Sequence, residues 1–210
     1  MLIGSWCIPF YESYFQNEPL SIAIRTRDID FLIPKPEKMQ TETDVPGFLG
    51  DLGFIVEFTS STGCMRLFHP DLIVEFLVPD IGRGRPSPFP VPKIKINAQP
   101  LRFLSLLAAR TIRVKIGEYH LTLPHHTIFA LHKLIISSRR KGKDKSFRDQ
   151  ETAFKVLSAL EKKGELEGIR EAFVFLPGKW QKVIGRVLKD CEPSFPFLST
   201  ALKAILLSES

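Results

Sequence analysis

Two acidic residues separated by one position stand in a strand-like segment, residues 28–33. Asp28 and Asp30 alternate there with the apolar residues Ile29, Phe31 and Ile33. Side chains at positions i and i+2 of a strand point to the same face, so the two carboxylates share one face and the apolar side chains need burial on the other. Carboxylates on an anchored strand are hard oxygen ligands of the kind that Mg²⁺ prefers. The pattern therefore predicts a metal site at Asp28 and Asp30.

Glu75 is a third acid with unusual surroundings, because it is the one charged residue in the apolar run of residues 72–77. If this run forms a strand next to residues 28–33, Glu75 becomes the third metal ligand. Three carboxylates can hold two metal ions, which would activate a hydroxyl and stabilise the leaving oxygens of a nucleotide. The alternative is that Glu75 forms a salt bridge with a basic residue.

The elements that must position these acids are a mixture of strands and helices. A strand at residues 1–3, a turn at Gly4-Ser5 and a helix at residues 6–15 precede the acid pair. The spacing of apolar residues then predicts a helix at residues 44–52 and strands at residues 54–58, 64–68 and 72–77. A loop rich in Gly, Arg and Pro follows at residues 78–92, residues 94–106 are ambiguous, and residues 113–116 and 120–123 form a hairpin.

From residue 124 onward the spacing of apolar residues is helical. It predicts helices at residues 125–137 and 149–160, a charged connector at residues 139–145, and two or three further helices. We therefore predict an α+β fold with two domains, a mixed α and β domain at residues 1–123 and a helical domain at residues 124–210.

Charge and cysteine content narrow the class of protein. The 210 residues carry a net charge of +6, which suits polyanionic partners such as nucleotides or RNA. Cys7, Cys64 and Cys191 are odd in number and far apart, so they form neither a disulfide framework nor a zinc pattern. No apolar run reaches the roughly 18 residues of a membrane span. We predict a cytoplasmic location and no membrane partner, and the sequence leaves the oligomeric state open.

The order of these features resembles the DNA polymerase β-like nucleotidyltransferase superfamily. Its pattern is Gly-Ser after a first strand, then Asp-x-Asp, then a third acid one or two strands later; here these are Gly4-Ser5, Asp28-x-Asp30 and Glu75. The resemblance covers residues 1–78 and extends more loosely to Asp149. It implies a nucleotidyltransferase-type mixed sheet with flanking helices, followed by a C-terminal helical region.

The resemblance also implies roles for single residues. Gly4 and Ser5 would contact the phosphates of an NTP, and Asp28 and Asp30 would bind Mg²⁺ or Mn²⁺. Glu75 would help to activate the attacking hydroxyl. Arg25, which lies close before the acid pair, is a further candidate for nucleotide binding.

A second stretch is similar to the helical segment of a bacterial group in the same superfamily. That group includes uncharacterised proteins and relatives of abortive-infection toxins. Its helix carries a lysine, then arginines and then a basic-acidic pair, here Lys133, Arg139-Arg140 and Lys143-Asp144. Lys133 lies off the apolar stripe of its helix, so Lys133 and Arg140 are candidates for binding the nucleotide. The alternative for Lys133 is a solvated side chain.

Together these features predict an enzyme that moves a nucleoside monophosphate from an NTP to a hydroxyl of RNA, protein or a small molecule. One alternative is a catalytically inactive protein of the same fold that acts as a binding or regulatory partner in a toxin–antitoxin type system. The short chain before the first strand, where the family usually has a helix, favours this alternative. Another is an RNA-binding module that uses the basic cluster of residues 139–148.

Several weaker candidates remain. His125 and His132 are two helical turns apart, too far for a joint zinc site, so with His126 we expect them at a helix cap or on the surface. Residues 82–86 form a Gly- and Arg-rich loop that would bind phosphate or RNA, or would only be a mobile loop. Ser5 has no visible base partner, which disfavours nucleophilic catalysis of the triad kind. Four late phenylalanines are predicted in the core: Phe173, Phe175, Phe195 and Phe197.

Overall fold

The computed structural model describes residues 1–12, 14–15, 20, 26–59, 62–80 and 87–208. The chain divides into two compact units. The first consists of Met1–Phe10 and Ala23–Pro124, and the second of Tyr11–Ile22 and His125–Ser210. The first unit mixes strands with short helices and the second is helical, which confirms the predicted α+β class.

In the described residues, the first unit is built on a seven-stranded mixed sheet. Its strands are β1 (Leu2–Ile3), β2 (Asp28–Leu32), β3 (Ile55–Phe58), β4 (Met65–Phe68), β5 (Ile73–Pro79), β6 (Phe89–Val91) and β7 (Ile96–Leu101). The main order is β1-β2-β5-β4-β3, and β7 pairs with both β5 and β6. Strands β2 and β7 run parallel to β5, whereas β4 runs antiparallel to it. Strand β5 is therefore the centre of the sheet and a direct neighbour of the strand that carries the acid pair.

Both faces of the central strand are packed, but to different extents. On one face Val74 and Val78 belong to a large apolar cluster that also contains Ile33, Leu67 and Ile96. On the other face a smaller cluster joins five buried side chains: Ile3, Leu32, Leu77, Leu104 and Leu107. Alternate residues of a strand face opposite sides, so the face with the smaller cluster is also the face of Glu75.

Helix α1 (Ile8–Glu12) begins in the first unit and ends in the second. Among the described residues, two short helices and a hairpin complete the first unit: α2 (Val45–Gly50), α3 (Leu104–Leu107), β8 (Thr111–Ile116) and β9 (Tyr119–Pro124). Helix α2 begins at Asp44, whose Oδ1 accepts a hydrogen bond of 2.9 Å from the backbone N–H of Gly47. The predicted hairpin is confirmed by the pairing of β8 with β9, and its turn at Gly117 has a φ of +56°.

The predicted helix at residues 6–15 is wrong at both ends. A 3₁₀ helix spans Gly4–Cys7, and helix α1 ends at Glu12. Pro9 has no N–H to donate to the carbonyl of Ser5. That carbonyl instead accepts from the N–H of Ile8, and this i→i+3 bond makes the first turn 3₁₀.

The predicted loop at residues 78–92 is also wrong at both ends. Strand β5 continues through Pro79, and Phe89–Val91 forms β6. Proline is tolerated at these places because Pro79 is the last residue of its strand and Pro90 lies in a strand that pairs only with β7. The ambiguous residues 94–106 contain β7 and the start of α3.

The described part of the second unit contains five longer helices: α4 (His126–Ser137), α5 (Lys143–Lys162), α6 (Leu166–Val174), α7 (Gly178–Cys191) and α8 (Thr200–Leu207). The predicted helical region is confirmed, although α5 begins within the expected connector. Gly164, with a φ of +80°, follows the end of α5, where a left-handed residue is commonly needed. No helix in the described ranges is long and apolar enough to cross a membrane.

The prediction that all four late phenylalanines lie in the core is half wrong. Phe173 and Phe195 are buried. Phe175 is 73% exposed and Phe197 46% exposed. Phe175 directly follows α6 as its C-terminal cap residue, at the end of the packed helix.

Candidate active site

The three acids singled out in the sequence lie on one face of the central sheet. Asp28 and Asp30 are two residues apart on β2, so they point to the same side. Strand β5 pairs with β2 in a register that places Glu75 directly opposite Asp30. The sequence predicted the shared face of the two aspartates, and the pairing of β2 with β5 adds Glu75 to it.

The rest of this face explains why the acids stay accessible. Leu32 and Leu77, which follow on the same side of β2 and β5, are buried with Ile3 and α3. Asp28, at the start of β2, is exposed, and Asp30 is half-buried. The face therefore changes from apolar core to open carboxylates over a single strand. The apolar end anchors the acids, and the open end allows a ligand to reach them.

Gly4 lies against Asp30. Strand β1 pairs with β2 so that Ile3 is opposite Asp30, and Gly4 follows with a φ of +72°. A Cβ atom at Gly4 would clash with Oδ2 of Asp30. Only glycine fits this backbone conformation and this approach without strain. Ser5 comes next in the 3₁₀ turn, so Gly4-Ser5 passes directly beside the acid pair.

Thr26 orients Asp28 from just before the strand. Its Oγ1 accepts a hydrogen bond of 3.1 Å from the backbone N–H of Asp28 and donates to Oδ2 of Asp28 at 3.2 Å. Sequence analysis did not single out Thr26. A hydroxyl residue two positions before an acid is a common local turn pattern, and that was the available signal.

Glu75 is held close to another negative charge. Burial raises the pKa of its carboxyl, and the negative charge of Asp28 raises it further. The positive charge of Arg66 acts in the opposite direction. The fold thus keeps like charges near one another, an arrangement that a bound cation would relieve.

Arg66 was missed by the sequence analysis. It is the register partner of Glu75 on β4 and of Glu57 on β3. Two nitrogens of its guanidinium donate to Oε2 of Glu57, at 2.9 and 2.7 Å. Four charged side chains therefore cross the sheet in one row, from Asp30 through Glu75 and Arg66 to Glu57. The salt-bridge alternative for Glu75 is weakened by this geometry, because the guanidinium of Arg66 is bonded to Glu57.

The donor set fits a hard divalent cation. In the described part of the chain no three His, Cys, Asp or Glu side chains converge as a complete metal cage. Mg²⁺ does not need one, since proteins usually bind it through one or two carboxylates and leave the other positions to water and substrate phosphates. Asp28 and Asp30 provide two such carboxylates on an accessible face.

Lys133 and Arg140 lie in the second unit and share one carboxylate. Nζ of Lys133 donates to Oδ1 of Asp149 at 2.7 Å, and Nε of Arg140 donates to Oδ2 at 2.8 Å. Lys133 is only 7% exposed, so the alternative of a solvated lysine is wrong. Although Lys133 lies off the apolar stripe of α4, it can be buried because Asp149 on α5 neutralises its charge. The nucleotide-binding role of Lys133 and Arg140 stays a prediction.

Among the remaining candidates, two of the histidines are not where we expected them, and two other candidates cannot be placed. His125 is the N-cap residue of α4, but His126 and His132 are buried, so the surface position expected for them is wrong. His126 stacks on Tyr14 with ring centroids 4.2 Å apart. Arg25 and the loop at residues 82–86 lie outside the described residues.

Comparison with known proteins identifies the family of the chain. A search of the curated proteins gave no match. A family model described as nucleotidyltransferase matches residues 1–173, which include the whole acidic face and the Lys133–Asp149 pair. The chain therefore belongs to this nucleotidyltransferase family.

Proposed function

We propose that the chain is a divalent-cation-dependent enzyme that transfers a nucleoside monophosphate from an NTP to a hydroxyl. Family membership supports nucleotidyl transfer in general. The observation that carries the finer proposal is the position of Asp30, with Gly4 pressed against its carboxylate on one side and Glu75 in register on the other. This arrangement combines a close backbone approach for phosphates with carboxylates for a cation.

Residues of the acidic face and of the Gly4-Ser5 turn would have different roles in this reaction. Asp28 and Asp30 would hold Mg²⁺ or Mn²⁺, with Thr26 fixing the orientation of Asp28. The bound ion would neutralise phosphate charge and favour ionisation of the attacking hydroxyl. Gly4 and Ser5 would bring backbone N–H groups to the phosphates, since no side chain intervenes at Gly4.

Glu75 is the group proposed to receive the proton. The acceptor oxygen bonds to the α-phosphorus as the bond from that phosphorus to the bridging oxygen breaks, and pyrophosphate leaves. The hydroxyl proton passes to the carboxylate of Glu75. Burial and Asp28 raise the pKa of Glu75, which makes it a better base than an ordinary glutamate. The positive charge of Arg66 would limit this rise from the next strand.

The acceptor remains open among RNA, protein and small molecules. We also propose kinship with the abortive-infection toxin group, which depends on the resemblance in the helical segment. The proposed cytoplasmic location depends on the cysteine pattern.

The test is the transfer of label from each α-³²P-labelled NTP to total RNA and protein of the source cell, with Mg²⁺ or Mn²⁺. We expect labelling by the wild type and none by the Asp28→Asn/Asp30→Asn variant. Asp51→Asn is the matched control, because it removes an exposed carboxylate at the end of α2 and should label normally. If folded wild-type protein transfers no label from any NTP, the proposal fails in favour of an inactive binding protein of the same fold.

A further inference from the structure

The second unit contains a basic cleft that the proposed reaction does not use. The cleft has a volume of about 770 Å³ and lies between the end of α4, the start of α5 and α7. Its lining includes Arg139, Arg140, Lys143 and Arg186, and Asp190 is the one acid among the described residues that line it. Three of these cations belong to the basic cluster of residues 139–148, and Arg186 lies on α7, more than thirty residues further along the chain. The fold therefore concentrates positive charge in a concave site.

Part of this charge is fixed in position. Nε of Arg140 is bonded to the buried carboxylate of Asp149, while 42% of the Arg140 side chain stays exposed. Lys143 is the first residue of α5, and the N-cap residue before it, Gly142, supplies no side-chain cap. The cleft wall is held by Ser146, whose Oγ donates to the carbonyl of Ser137 at 2.9 Å. A cation that is held in place at the start of a helix favours phosphate oxygens.

The cleft also presents an aromatic ring. Phe147 lines it and is 46% exposed. Its ring stacks on that of Phe195, with centroids 5.3 Å apart and an angle of 21° between the planes. Phe195 is itself buried and packs on Phe154 at 5.0 Å. One face of Phe147 is thus supported by the core, and the ring is ordered before any ligand binds.

We propose that this cleft binds single-stranded nucleic acid, with the four cations contacting phosphates and Phe147 stacking on an unpaired base. Positive grooves that contain an aromatic platform bind single strands because every base has a stacking face. A duplex keeps its bases stacked on each other and offers none to Phe147. The site lies within the helical unit, and the transfer step proposed above uses none of its four cations, although Arg140 is also a predicted nucleotide-binding residue.

Fluorescence anisotropy of a labelled single-stranded RNA of roughly ten nucleotides, with full-length protein in EDTA and without NTP, tests this directly. We expect saturable binding that a duplex of the same length competes for only weakly. For the Lys143→Gln/Arg186→Gln variant we expect weaker binding and a slope of log K against log salt that is smaller by about 1.4, at about 0.7 per phosphate contact. The matched control is Lys182→Gln/Lys189→Gln, which removes two exposed charges of α7 outside the cleft and should keep the wild-type slope.

Variants at Phe147 distinguish the binding of nucleic acid from the binding of other polyanions. Phe147→Leu keeps an apolar side chain over Phe195, and we expect it to weaken RNA binding about fivefold or more, whereas Phe147→Tyr should bind as the wild type does. Binding of inorganic polyphosphate should be insensitive to both changes. The proposal is overturned if the RNA does not bind, if the control pair weakens binding as much as the cleft pair, or if Phe147→Leu has no effect. Circular dichroism of each variant confirms that it is folded.

Discussion

Two groups of charged side chains, one in each unit, are arranged in opposite ways. In the helical unit, Lys133 and Arg140 converge on Asp149, and the two buried members are each 8% exposed in their side chains. On the sheet of the first unit, Asp28 and Glu75 carry like charges close together. The first group is neutralised from within the protein. In the second group Arg66 acts against the effect of the like charges, and a bound cation would relieve their repulsion further. The first group is therefore a structural ion pair, whereas the second is a candidate ligand site.

The largest effect is expected when the ion cluster of Lys133, Asp149 and Arg140 is broken. Asp149→Ala leaves the ammonium group of Lys133 buried without a counter-charge, so the free energy of unfolding should fall by about 3–5 kcal/mol. Urea denaturation measures it. Asp144→Ala, on the exposed first turn of the same helix, is the matched control and should cost less than about 1 kcal/mol. An equally small loss for Asp149→Ala would contradict a structural role for the cluster.

The buried histidines of the helical unit give the second effect, because burial disfavours their protonated forms. Burial is the main cause that lowers the pKa of His126 to about 4 and that of His132 to about 3. The unfolded chain binds protons with a pKa near 6.5, so stability is complete above that pH and is lost as the pH falls towards the folded values. Between pH 7 and pH 5 each histidine should cost about 2 kcal/mol.

Urea unfolding at pH 7 and pH 5 measures this loss. His132→Leu and His126→Phe should each remove their share of the pH dependence, and His120→Gln, at an exposed position, should not. A variant at His132 whose stability falls with pH as steeply as that of the wild type would show that His132 is not the source.

Substitution of Gly4 should have an intermediate effect on stability. Comparison with Gly117 separates the cost of backbone strain from the cost of the contact with Asp30. Gly117→Ala introduces a side chain at a φ of +56° with no atom within 4 Å, so it should cost about 1 kcal/mol of unfolding free energy. Gly4→Ala has a similar φ and in addition forces Asp30 to move. We expect a larger loss of stability, measured in urea, and loss of transfer activity. Equal stability and full activity in both variants would mean that Asp30 needs no close approach at Gly4.

The smallest effect is the pH dependence that Glu75 contributes. Its folded pKa is raised above the ordinary value of 4.5, so the folded state binds the proton more tightly than the unfolded state. This contribution to stability is complete below pH 4.5 and is lost as the pH rises through the folded pKa. Glu75→Gln should remove the decline, while the exposed Glu37→Gln should retain it, as urea midpoints across this range would reveal. A decline that persists in Glu75→Gln would place its source elsewhere.

Local patterns allowed part of this molecule to be predicted from its sequence. Alternation placed Asp28 and Asp30 on one face, and helical spacing predicted the second unit, because both depend on residues close in the chain. The pairing of Arg66 with Glu75 depends on strand register, which no local pattern fixes. The burial of Lys133 was missed for a similar reason, since its partner Asp149 lies 16 positions away and on another helix.

Prolines misled the prediction where their context mattered. Pro79 and Pro90 suggested a loop, but each occupies a strand position that needs no N–H donor. The role of Gly4 was inferred from resemblance alone, because the clash of a Cβ with Asp30 depends on the pairing of β1 with β2.

The most direct test of the central claim is calorimetric titration of the protein with each of the four α,β-methylene NTP analogues, in Mg²⁺ and then in EDTA. We predict that at least one analogue binds the wild type in Mg²⁺, and that binding is lost both in EDTA and in the Asp28→Asn/Asp30→Asn variant. Asp51→Asn should bind as the wild type does. Binding of equal strength in EDTA, or in the folded double variant, would contradict the assignment of the acidic face as the metal and nucleotide site.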